Sequence, residues 1–147
     1  MNYVSYSKIK FSSDMPLHLG IVGACGSIPK GKKEIEKLMN MLPAKIPVTF
    51  VGTSENEYDI KRENVFFLGR YKNGELQKQI EENKITVVFF PSVCPETFSY
   101  LISELMQMDI RIICYNFGSQ AEKLSLYDKG FICNGVDDVF KLLMSLD

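Results

Sequence analysis

Six short apolar runs punctuate this chain, at 17–23, 48–52, 65–69, 85–90, 110–115 and 130–133, and apolar residues recur at helical spacing between them. Most of the runs are apolar at consecutive positions and do not alternate, as befits parallel strands covered on both faces. The intervening segments 32–41, 74–83, 99–108 and 119–127, with 137–146 after the last run, read as helices. Ile35, Leu38, Met39 and Leu42 are spaced by three and four, which lays one apolar stripe toward a sheet, and Val139, Leu142, Leu143 and Leu146 repeat the pattern. Right-handed crossovers between successive parallel strands then give an α/β fold. The expected architecture is a Rossmann-like, doubly wound, mostly parallel sheet of about six strands, with helices on both faces.

A chain of 147 residues suits one such core and is short for two. Residues 16–147 are expected to form the domain. Residues 1–15 fit no clear element and read as a linker or a connection to a preceding segment. Seventeen basic residues against eighteen acidic ones leave a net charge of -1. That balance carries no electrostatic footprint for duplex nucleic acid, so no nucleic-acid partner is expected. No apolar stretch reaches the roughly 18 residues of a membrane span, and the first ten residues lack the apolar core of a signal peptide. Cys25, Cys94, Cys114 and Cys133 are widely spaced, without a C-x-x-C pair, and are expected to be free thiols in the cytoplasm.

In open parallel sheets, ligands bind beyond the carboxyl ends of the strands, so the loops after the apolar runs are where function is sought. After the first run comes Gly23-Ala24-Cys25-Gly26-Ser27-Ile28-Pro29-Lys30-Gly31. Its glycines let backbone amides approach an anion, and Lys30 adds a charge. The loop has neither the G-x-G-x-x-G fingerprint nor the Lys-Ser/Thr ending of a P-loop, and by itself it is equally a tight strand-to-helix turn.

The fourth run ends in Pro91-Ser92-Val93-Cys94-Pro95-Glu96-Thr97-Phe98-Ser99-Tyr100, which leads into a helix. Amides near Phe98, Ser99 and Tyr100 open that helix, where the dipole favours a phosphate. Glu96 lies before them and Glu104 inside the helix, about 10 Å apart at the rise of an α-helix. That span suits a diphosphate flanked by two polyols, one for each carboxylate. Read without a ligand, Glu96 simply complements the helix N-terminus and Glu104 belongs to a solvated helix face. His18, within the first run, reads as a satisfied structural residue and not as a catalyst.

The run Phe90-Pro91-Ser92, Pro95-Glu96-Thr97-Phe98-Ser99-Tyr100 and Ser103-Glu104-Leu105-Met106 resembles the E-x7-E region of retaining glycosyltransferases with the two-domain GT-B fold, of the broad "group 1" or family-four type. Further matches are Gly23 with Lys30-Gly31, Val51-Gly52, Val65-Phe66-Phe67-Leu68-Gly69 and Gly118-Ser119-Gln120-Ala121-Glu122, so that the likeness spans 17–146. The resemblance implies the C-terminal, donor-binding half of such an enzyme. The donor would be a nucleoside-diphosphate sugar of UDP or GDP type, its base undetermined. It would serve hexosyl transfer, with retention, to a glycan or lipid-linked acceptor, as in polysaccharide biosynthesis.

Carried over by position, the resemblance makes Glu96 the contact to the donor sugar and Glu104 the contact to the ribose. Thr97, Phe98, Ser99 and Tyr100 would hold the diphosphate, Lys30 would neutralise it with Gly23 and Gly26 beside it, and Gly69, Arg70 and Tyr71 would lie at the base. Glu96 and Lys30 would be the catalytic pair. No metal and no other cofactor is implied, since lysine and helix dipoles take the metal's place. An N-terminal acceptor domain would be needed for activity, so the isolated domain is expected to be inactive; a full-length enzyme could still associate with a membrane. Two departures stand out. Cys25 occupies the place of an arginine that usually assists the lysine, and Ser99 stands where glycine is common. The missing arginine leaves an alternative, a non-catalytic module of the same fold that binds sugar nucleotides or proteins. A receiver or flavodoxin-like domain is disfavoured, because neither an acidic cluster after the first run nor flavin loops are found.

Overall fold

A computed structural model describes residues 6–12, 14–22, 29–52, 58–72, 74–91, 99–116 and 118–147. The elements follow the order β1 (Leu19–Val22), α1 (Pro29–Met41), β2 (Val48–Val51), β3 (Val65–Phe67), α2 (Leu76–Glu82), β4 (Val87–Phe90), α3 (Ser99–Gln107), β5 (Arg111–Tyr115), α4 (Gly118–Ser125), β6 (Gly130–Cys133) and α5 (Val136–Leu146). Every residue of β1, β2 and β4 is buried, which is why these stretches are apolar without alternation. The strands are shorter than the apolar runs. β2 and β3 stop before Gly52 and Gly69, whose φ angles of 89° and 71° turn the chain out of the sheet. Helix α1 starts earlier than its apolar period suggests, with Pro29 in the opening position where a missing amide costs nothing, so Lys30 and Gly31 belong to its first turn and not to the loop.

All six strands join one sheet in the order β3-β2-β1-β4-β5-β6, and every pairing is parallel. This is the doubly wound Rossmann-like arrangement, in which the chain winds outward from the centre in both directions. Successive side chains of each strand point to opposite faces and so feed two separate cores. Val87 and Phe89 pack in the layer of α1 and α5, with Ile35, Leu38, Val139 and Leu143. Val88 and Phe90 pack in the layer of α2, α3 and α4, with Ile80, Ile102, Leu105 and Leu124.

Residues 6–12 carry no regular structure but are bonded to the second layer. The Ile9 amide donates to the Met108 carbonyl at 3.0 Å, and Tyr6, Ile9 and Phe11 pack against the core beneath α2 and α3. Among the described residues, no helix is long and apolar enough to cross a membrane.

Candidate functional site

β1 and β4 lie side by side at the middle of the sheet, in register from Leu19↔Val87 to Ile21↔Phe89. The chain leaves β1 toward β2 on one side and leaves β4 toward β5 on the other. The carboxyl ends of β1 and β4 therefore stand side by side at the topological switch point of a doubly wound sheet, the edge at which such folds bind ligands. Segments 23–28 and 92–98 make those connections, and they belong to the two loops singled out from sequence alone. α1 and α3 begin just beyond them, one on each face of the sheet, so two helix N-termini with their positive dipole ends start at this edge.

The expected site residues divide accordingly. Gly23, Cys25, Gly26, Glu96, Thr97 and Phe98 lie outside the described residues. Lys30 occupies the first turn of α1, and Ser99 and Tyr100 the first turn of α3; for these three only the backbone is described. Gly69 follows β3 and its carbonyl accepts the Gly52 amide at 3.0 Å. Arg70, next in the chain, is exposed. Tyr71 turns back toward β2, so that a Cβ added to Gly52 would stand 3.3 Å from its ring.

Glu104 is not part of a solvated helix face. It is half-buried on α3, and burial raises its carboxyl above the usual carboxylate range. Its charge in turn reaches Tyr71, whose hydroxyl is pushed up to about 12, chiefly by burial and then by Glu104. The fold thus brings Glu104 and Tyr71, 33 positions apart in sequence, into one electrostatic neighbourhood between α2 and α3. These are the positions that the family resemblance assigns to ribose and base.

A third member of this neighbourhood carries no signal in the sequence. Tyr6 belongs to the N-terminal segment, and its hydroxyl is buried without a hydrogen-bond partner among the described residues. Burial and the Glu104 carboxylate hold that hydroxyl up at about 12. Only tertiary packing joins residues about a hundred positions apart, and the unpatterned character of residues 1–15 gave no hint of it.

His18 lies just before β1, and its Nε2 meets the Thr49 hydroxyl at 2.7 Å while its backbone amide donates to the Thr86 hydroxyl at 3.1 Å. Burial lowers its pKa, which keeps the ring neutral. The structural role expected for it is the one observed. Cys114 and Cys133 are buried free thiols, both pushed up to about 11 by desolvation first of all. Among the described residues no group of three His, Cys, Asp or Glu side chains is arranged to hold a metal ion.

The fold and its switch point define a Rossmann-like α/β protein with its candidate ligand edge at the carboxyl ends of β1 and β4. Comparison with protein-family models found none that matches, and comparison with curated proteins found no match either.

Proposed function

We propose that this chain is the donor-binding half of a sugar-nucleotide-dependent glycosyltransferase, acting in the cytoplasm together with an N-terminal acceptor domain. The observation that carries the reading is that the two loops chosen from sequence leave adjacent strands at the switch point, with Glu104 half-buried on the helix that follows one of them. In this reading the diphosphate of a UDP- or GDP-sugar lies between the N-termini of α1 and α3, where amides and Lys30 stabilise the negative charge that grows on the leaving group. Glu104 accepts hydrogen bonds from the ribose hydroxyls, Tyr71 lies toward the base, and Glu96 contacts the sugar. Such a domain supplies leaving-group stabilisation; the acceptor and its positioning come from the other half.

Cys25 in the place of the usual arginine favours a second reading, in which the same fold binds a sugar nucleotide without turning it over. A calorimetric and thermal-shift screen of UDP, GDP, ADP and their sugar conjugates tests the shared part of both, because a ligand that binds only the folded state raises its stability. A base-selective hit is expected. Turnover of the bound donor by a two-domain protein then separates enzyme from binding module, and complete absence of nucleotide binding in both forms ends the proposal.

A further inference from the structure

We propose that the amino edge of the sheet, opposite the candidate ligand edge, carries a second binding site, anchored by Arg111, for a small amphipathic oxyanion: a carboxylate or phosphoryl head on a short apolar body. The inference does not rest on the donor-binding reading, because the two edges are formed by opposite ends of the strands.

All pairings are parallel, so the amino ends of the strands collect at one edge. A cavity of about 340 Å³ opens there. It is lined by Leu17 before β1, Thr86 before β4, Arg111 at the start of β5 and Lys129 before β6, with Phe11 and Met15 of the N-terminal segment as a further wall. Its size is that of a small-molecule site. Parallel register sets the two cations at neighbouring strand starts: Ile112 pairs with Gly130, and the Ile112 amide donates to the Lys129 carbonyl at 2.9 Å.

The polar groups around this cavity are unequally committed. The Lys129 ammonium donates to the Asp109 carboxylate at 2.8 Å and to the Asp109 carbonyl at 2.9 Å, which leaves one of its three donors. The Ser12 hydroxyl donates to Asp14, and the Thr86 hydroxyl accepts from the His18 amide at 3.1 Å. Arg111, by contrast, is exposed, and among the described residues its guanidinium has neither an ion pair nor a hydrogen bond. A guanidinium offers its donors in a planar fork that fits two oxygens of one carboxylate or phosphoryl group.

The surroundings favour an anion as well. A second cavity, of about 430 Å³, shares Phe11 and Met15 with the first and is bordered by Lys8, Lys10, Lys84 and Glu81. Among the described residues, five cations and two carboxylates line the two cavities, in a chain whose net charge is -1. Positive charge therefore gathers at this edge and draws anions to it. Phe11, Met15, Leu17 and Leu146 give the first cavity an apolar side, which an inorganic ion leaves unused and an amphipathic one covers.

Hexanoate and phenyl phosphate are the probes, with hexanol and inorganic phosphate as controls that lack the head or the body. Each is titrated into the whole chain and followed by amide-resolved NMR, in the wild type and in Arg111→Gln. At least one probe is expected to move the amides of Ser12, Thr86, Arg111 and Lys129 saturably and to bind more tightly than its control; the tighter of the two names the head group. Arg111→Gln is expected to weaken that binding about 10-fold or more, the scale of hydrogen bonds to a charged group, and Arg111→Lys, which keeps the charge without the fork, to recover only part of it. Arg111 is exposed, so both replacements leave the core intact, and the same spectra check the fold. Probe binding no tighter than the controls, or unchanged in Arg111→Gln, overturns the inference, as does the absence of saturable movement at millimolar probe. UDP and GDP report on the other edge through the amides of Ser99 and Tyr100, so failure of the donor-binding reading is distinguishable from failure of this one.

Discussion

The Gly52 amide donates to the Gly69 carbonyl at 3.0 Å, tying together the two turns by which β2 and β3 leave the sheet. Both glycines have positive φ, and the Tyr71 ring closes over Gly52. The ends of β2 and β3 at this corner are therefore joined through backbone geometry at Gly52 and Gly69 that other residues adopt only at a cost.

Gly52→Ala is expected to destabilise the chain by about 1–2 kcal/mol, because a Cβ is disfavoured in the left-handed region and would also crowd Tyr71. Urea or thermal unfolding measures the loss. Wild-type stability in the variant would mean that this turn does not hold its left-handed conformation in solution.

Glu104→Ala should weaken binding of the preferred nucleoside diphosphate by roughly 1.5–3 kcal/mol, the range for hydrogen bonds to a charged acceptor. Since burial raises the Glu104 carboxyl above its ordinary 4.5, wild-type affinity should fall with decreasing pH, beginning at a higher pH than an unperturbed carboxylate would give. Affinity in calorimetry that survives the substitution removes Glu104 from the site.

His18 gives a pH signature of stability. Its folded-state pKa lies below the ordinary 6.5, so the unfolded chain takes up a proton first as pH falls. The stability associated with the neutral ring is complete above about 6.5 and is lost as pH drops toward the folded-state value. Melting temperature should thus decline from pH 7.5 to 5.5, with a shallower slope in His18→Gln. Parallel profiles for the two proteins would show that His18 does not titrate in this window.

Cys114 and Cys133 should resist iodoacetamide at pH 7.5 in the folded chain, since burial and thiol values near 11 leave almost no thiolate. Peptide mapping by mass spectrometry should find both alkylated only after unfolding in urea. Rapid labelling under native conditions would contradict their packing between sheet and helices.

The layered α/β class, the six strands and the helical positions were legible in the sequence because burial on both faces demands consecutive apolar residues, while helices on the surface demand a stripe. Residues such as Val87 to Phe90 and the Ile35, Leu38 and Met39 stripe carry that information locally. The same local reading marked the loops after Gly23 and Pro91, since small residues and helix-opening positions follow their strands directly in the chain. Strand order was not local: nothing near Phe90 states that β4 returns to pair with β1, and only that pairing makes two distant loops neighbours. Tyr6 and Glu104 show the same division more sharply. A glutamate in a helix reads as solvated until another part of the chain covers it, and a tyrosine in an unpatterned segment has no period to reveal its partner. Local propensity therefore determined which elements form and where the loops fall, while the burial of Glu104 and its company with Tyr71 and Tyr6 were decided by packing between residues far apart in sequence, which exists only once the layers have closed.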